Sequence, residues 1–132
     1  MQSIEEFLSQ PERRTHVVND LNIEPITVYE MMLSEREEIM EEYSNIHSQI
    51  SEEEEKGDKK NNSKISELGD KRTNIVCKVI LKAIFGYDKD YSDEQAVALK
   101  SKYSDAVIDE LFTRIVSFNS IDAKAISKAK KT

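Results

Sequence analysis

The sequence has no tryptophan, one cysteine, two prolines and three glycines in 132 residues, and no apolar run nears the roughly 20 residues needed to cross a bilayer. Each shortage closes a class. The lone Cys77 excludes an intrachain disulfide and a cysteine-pair metal site, and it suits a reducing compartment. Scarce glycine and proline argue against a turn-rich β-protein, and glycines at 57, 69 and 86 lie too far apart to cradle a phosphate. No membrane partner is expected. The chain opens with acidic residues where a signal peptide would be basic, so the expected location is the cytoplasm.

What is present is charge and helix-compatible sequence. Charged residues make up 34% and apolar residues 38% of the chain, with a mean hydropathy of −0.62. The length fits one domain with one core. Its formal charge of −7 is unevenly spread: residues 1–58 hold 16 acids and 4 bases, and residues 59–132 hold 10 acids and 15 bases. Asp105, Asp109 and Glu110 interrupt the basic half, whose aromatics have core-like spacing, so no nucleic-acid partner is expected.

Ser3 and Glu6 have capping-box spacing and Ile4, Phe7 and Leu8 share a helical face, so residues 1–13 should form a short helix that stops at Pro11 and acts as a clasp. Residues 14–31 change texture. His16-Val17-Val18 and Ile26-Thr27-Val28-Tyr29 are β-branched or aromatic runs separated by Asn19-Asp20, Asn22 and Pro25, which predicts a small hairpin or two extended segments. Ser34 with Glu37 gives a second capping-box spacing, and Glu35, Glu37 and Glu38 place negative charge where a helix start favours it. The following helix carries Ile39, Tyr43, Ile46 and Ile50 as one narrow apolar stripe. Residues 51–63 hold nothing apolar and read as an exposed helix end and a mobile loop.

Residues 75–85 are apolar nearly all round. Only Lys78 and Lys82 interrupt them, on one helical line, as the solvent-facing or snorkelling strip of a buried central helix that Gly86 can end. Ser92 with Gln95 sets a third capping box for a short helix to about Lys102, and Ser104 caps a helix with Val107, Ile108, Leu111, Phe112, Ile115 and Phe118 on a wide apolar face. Residues 121–132 should add a short amphipathic helix or tail. The expected fold is a single mainly-α domain: a small bundle of about five helices, with its core in residues 34–118 and a small N-terminal β-hairpin or extended element.

Constellations for chemistry are poor. Asp88-Lys89-Asp90-Tyr91-Ser92 imitates the start of a calcium loop, but Asp93 stands where the sharp turn needs glycine and Leu99 where a bidentate glutamate is needed. A polar turn feeding a helix cap explains it better. The two histidines, His16 and His47, belong to no nucleophilic motif, and Cys77 sits in the most apolar segment. The helices around Ser92 and Ser104 resemble a helix-turn-helix in spacing, yet Asp105, Asp109 and Glu110 on the second one would repel phosphate. Neither an enzyme nor a cofactor or metal site is expected.

The order of features carries more. An extended segment ending Ile-Thr-Val-Tyr-Glu-Met precedes Leu33-Ser34-Glu35-Arg36-Glu37-Glu38, and a charged stretch follows. The run Lys71-Arg72-Thr73-Asn74-Ile75-Val76-Cys77-Lys78-Val79-Ile80 then leads to Phe85-Gly86-Tyr87-Asp88-Lys89-Asp90-Tyr91-Ser92-Asp93-Glu94 and to a last helix closing at Phe118-Asn119-Ser120-Ile121. In this order, over residues 15–127, the chain resembles the tail assembly chaperones of long-tailed bacteriophages and prophages. Tyr91-Ser92-Asp93-Glu94 matches the family's turn well, whereas Ser120 replaces its frequent closing glycine and the aspartates around Gly86 are arranged differently.

The resemblance implies a mostly helical, non-enzymatic protein of the host cytoplasm. Its partners would be the tape measure protein and, in some systems, the major tail tube protein. It also implies a longer translationally frameshifted form, for which Lys130-Lys131 would permit a slippery codon pair. A holdase needs adaptable apolar surface, and Met31, Met32 and Met40 with Tyr43, Phe112 and Phe118 are its candidate partner-binding residues here. The competing reading is that the methionines merely fill core gaps. Weak self-association is compatible with this reading. The alternatives are an acidic regulatory or adaptor protein and a transcription-associated helical protein, the latter marked by a basic surface stripe.

Overall fold

A computed structural model describes residues 3–9 and 13–119. The Pro11 helix stop, the C-terminal element of residues 121–132 and the Lys130-Lys131 pair lie outside them. In chain order the elements are α1 (Ile4–Ser9), β1 (Thr15–Val18), β2 (Ile26–Tyr29), α2 (Leu33–Glu54), α3 (Asn62–Phe85), α4 (Asp93–Lys102) and α5 (Asp105–Asn119), with a 3₁₀ turn at Gly57–Lys59. The protein is mainly α, with one small antiparallel hairpin near its N-terminus. No helix of the described residues is long and apolar enough to cross a membrane.

The hairpin pairs Thr15 with Tyr29 and Val18 with Ile26. Side chains alternate across the strands, so His16, Val18, Ile26 and Val28 share the face turned to the helices, where Val18 and Val28 are fully buried. Val17 and Tyr29 lie on the outer face and are exposed. Asn22 takes a positive φ of 59° in the connection, a conformation that asparagine tolerates.

Around α3 the core closes. Ile75, Cys77, Val79, Ile80 and Ala83 are buried against Ile39 of α2, Ala96 of α4, the hairpin valines, and Ile108, Leu111 and Ile115 of α5. Full burial of an isoleucine or leucine side chain contributes about 1.5–3 kcal/mol, which makes Ile80, Leu111 and Ile115 the anchors of the bundle. Ile39, Tyr43, Ile46 and Ile50 do form one face of α2, with Ile39 and Ile50 buried and the other two half-buried.

Local signals set most of the ends. Ser92 and Gln95 complete a reciprocal capping box, with the Gln95 N–H donating to Ser92 Oγ at 3.1 Å and the Ser92 N–H to Gln95 Oε1 at 2.9 Å. Ser104 Oγ accepts from the Val107 N–H at 3.3 Å, and Ser3 Oγ from the Glu6 N–H at 3.1 Å. Gly86 ends α3 with φ 134°, its N–H donating to Lys82 O at 2.9 Å. The backbone there calls for glycine, since a φ of 134° strains any residue with a Cβ, whereas the nearest atom to such a Cβ, Asp88 Oδ1 at 2.8 Å, ends an exposed side chain that can swing away.

Three expectations need correction. The cap of α2 is Met32, not Ser34, and Glu35 rather than Glu37 reaches back, accepting from the Met32 N–H at 2.7 Å. The helix end expected in residues 51–63 is there, with α2 reaching Glu54, but the loop expected after it is only a short connection with a 3₁₀ turn at Gly57–Lys59 before Asn61 caps α3 by accepting from the Lys64 N–H at 3.1 Å. The N-terminal helix clasps nothing among the described residues, because α1 buries none of its own and Ile4, Phe7 and Leu8 are 78%, 70% and 72% exposed.

Candidate protein-docking surfaces

The six residues singled out for partner binding fall into two groups. Met31, Tyr43, Phe112 and Phe118 are half-buried and packed against the core, with the Tyr43 and Phe112 rings 5.7 Å apart and Phe118 stacked on His16 at 5.4 Å. Their apolar surface therefore serves first to join α2, α5 and the hairpin. Met32 is half-buried as the cap of α2. Only Met40, at 46%, is exposed, and it lies seven residues along α2 from Leu33, which is 67% exposed. The structure does not gather the six into one open patch.

A polar knot explains why the Met31-Met32 junction is closed. Arg13 donates to both Glu35 carboxylate oxygens, at 2.6 and 2.9 Å, and to Glu30 O at 2.8 Å, while its guanidinium lies 4.9 Å from the Tyr87 ring centre. Tyr87 donates its hydroxyl to Tyr29 O at 2.8 Å, and the Met31 N–H donates to Asn119 Oδ1. The start of α2, the end of β2, the end of α5 and the turn after α3 thus meet through hydrogen bonds, the strongest of them charge-assisted. The Arg13 guanidinium, helped by the Met32 N–H, holds the Glu35 carboxyl below the usual carboxylate range, and burial drives the Tyr87 phenol well above its ordinary value.

An apolar opening lies elsewhere, between α3 and α4. A groove of about 400 Å³ is lined by Leu81, Phe85, Tyr91, Gln95, Ala98, Leu99 and Lys102, and Phe85 is 63% exposed. Its geometry follows from the sequence of α3. A helix apolar on nearly every side cannot be covered by α2, α5, the hairpin and a ten-residue α4 together, so the last turn keeps Leu81 and Phe85 partly open. The signal for it in the sequence is the spare hydrophobicity of residues 81–85, an apolar run on more sides than the neighbouring elements can cover.

A second, polar cavity of about 300 Å³ lies between α2, α3 and the start of α4 and includes Glu42, Asn45, Lys71, Asn74, Lys78 and Asp93. Lys78 bridges to Asp93 at 2.7 Å, which fixes the start of α4 and keeps the Asp93 carboxyl low. Lys78 and Lys82 are half-buried, their stems against apolar neighbours. Asn74 Oδ1 is buried without a partner among the described residues. No three His, Cys, Asp or Glu side chains of the described residues are grouped to hold a metal ion. Cys77 is fully buried, and burial raises its thiol pKa.

Many cations of the second half of the chain are paired: Arg114 binds Asp20 at 2.7 Å and Glu110 at 2.9 Å, and Lys71 approaches Glu67 at 3.7 Å. Compared with models of protein families, with curated proteins and with solved structures, the chain matches none.

Proposed function

We propose that this protein is a tail assembly chaperone of a long-tailed phage or prophage, a non-enzymatic holdase of the bacterial cytoplasm that binds the tape measure protein, with the tail tube protein as a second client. The reading rests on the order of sequence features described above. The observation that carries it is the open apolar groove between α3 and α4, whose lining suits one face of an amphipathic helix presented by a long helical client. Lys102 at its rim would meet acidic client residues, and Met40 with Leu33 offers a second apolar contact along α2.

Co-expression with a phage tape measure protein tests the reading. Phe85→Asp is expected to reduce capture by tenfold or more while leaving the circular dichroism spectrum unchanged, with Met40→Asp giving a smaller loss. Capture unchanged by both substitutions excludes these surfaces. A gene neighbourhood without tail genes excludes the function.

A further inference from the structure

Two apolar surfaces of the chain stand open, on segments joined by a short tether. One is the α3–α4 groove, whose apolar walls include Leu81, Phe85 and Leu99 and whose one charged lining residue is Lys102. The other is the face of α1 formed by Ile4, Phe7 and Leu8, spaced as neighbours on one side of a helix and all exposed. A six-residue helix makes too few backbone bonds to hold itself together in water, and it takes its stability from the packing of an apolar face. The α1 face therefore needs a surface to pack against.

Reach, direction and charge select the groove. Arg13 is fixed on Glu35 and over the Tyr87 ring, so the tether of α1 starts beside Tyr87, two residues past Phe85. From Arg13 back to Ser9 is four Cα steps, about 13–14 Å when extended and about twice the span from Tyr87 to Phe85. After the connection of residues 86–92, α4 returns along α3, which puts Phe85 and Tyr91 at one end of the groove and Lys102, the last residue of α4, at the other. An α1 entering from Tyr87 sets Leu8 toward Phe85 and its first turn, with Glu5 and Glu6, toward Lys102. Neither glutamate has an ion pair among the described residues, and Lys102 has only the Tyr103 ring, 5.5 Å from its Nζ. Another open apolar pair, Leu33 and Met40, lies on α2 among Glu37, Glu38 and Glu41, which repel Glu5 and Glu6. We propose that α1 folds back into the α3–α4 groove of its own chain, seating Ile4, Phe7 and Leu8 against Leu81, Phe85 and Leu99 with its glutamates at Lys102, and so competes with any helix offered to the groove from outside. The structure shows the open arrangement. The short tether favours this occupant over a second copy, because it holds α1 at high effective concentration beside the groove. The contact lies within one chain and holds whether or not a tail protein is the client.

Nuclear Overhauser contacts measured on the whole chain, with no client present, read the arrangement directly. Contacts from the Ile4 and Leu8 methyls and the Phe7 ring to the methyls of Leu81 and Leu99 are expected. Phe7→Asp replaces an exposed ring, so the rest of the spectrum should stay unchanged while these contacts fall at least about tenfold, a charge now facing apolar walls. Charge exchange supplies a second test. Glu5→Lys and Glu6→Lys together should weaken the contacts, and Lys102→Glu added to that pair should restore them. A mixture of two isotopically distinct preparations separates α1 of the same chain from α1 of a second copy. Contacts found only between copies, contacts to Leu33 and Met40 instead, contacts indifferent to Phe7→Asp, a charge exchange that restores nothing, or no contacts at all would overturn the proposal.

Discussion

The two ends of α3 meet their neighbours by opposite means. At its start, the turn from α2 contains no apolar residue, yet it is closed: Glu53, only 3% exposed, accepts from the Asn61 N–H at 2.9 Å and from Lys56 Nζ at 2.9 Å, with Lys64 Nζ at 3.6 Å. At its end, beyond the buried Ala83, the chain is rich in apolar residues and remains open, with Phe85 exposed beside the α3–α4 groove. Hydropathy alone would rank these two junctions the other way. Closure is decided by whether each group finds a partner, and one carboxylate with two donors and a second ammonium nearby finishes a junction that surplus leucine and phenylalanine leave unfinished.

The sharpest break of both junctions together is Ile80→Ala. Ile80 is fully buried in the helix they share, and its loss is expected to cost about 2–5 kcal/mol, read as a lower denaturant midpoint with an unchanged slope. Gly86→Ala acts on the open end alone. It holds a residue with a Cβ at φ 134° and should cost about 1–3 kcal/mol; a neutral result would show that the turn after α3 is free to rearrange.

Substitution of Glu53 sharpens the closed end through pH. The ammonium of Lys56 first, and the Asn61 N–H next, hold its carboxyl below the ordinary value of 4.5. A carboxyl depressed on folding stabilises the folded state above its unfolded pKa, and that contribution is lost as pH falls through the folded value. Wild type should therefore exceed Glu53→Gln in stability at neutral pH, and the two should converge on acidification below about 4.5. Parallel stability curves across that range would mean that the Glu53 charge is not what closes the turn.

Signals confined to one turn of chain were legible in the sequence: the Ser92–Gln95 box, the Ser104 cap, the glycine stop at 86 and the β-branched runs that pair as a hairpin. What was not legible depends on partners far along the chain. Glu53 is drawn in by an N–H eight residues later, and Glu35 is held by Arg13, 22 residues earlier, which moves the α2 cap to Met32. For the candidate surface, Met40 was named and is exposed, but Tyr43 and Phe112 are spent on each other, while Phe85 was assigned to the buried run. An apolar stripe shows that a face is covered and leaves open what covers it.

The smallest stability effect carries the most functional information. Phe85→Ser removes a ring that is 63% exposed, so folding stability should stay within about 0.5 kcal/mol of wild type. If the open end of α3 exists to receive another polypeptide, the same substitution should still reduce client capture severely, whereas Glu53→Gln at neutral pH should lower stability and leave capture by the remaining folded protein intact. Stability and capture would then separate by location, one at each end of the same helix. If Phe85→Ser instead destabilises by several kcal/mol, the groove is part of the core, and the contrast between the two ends of α3 fails.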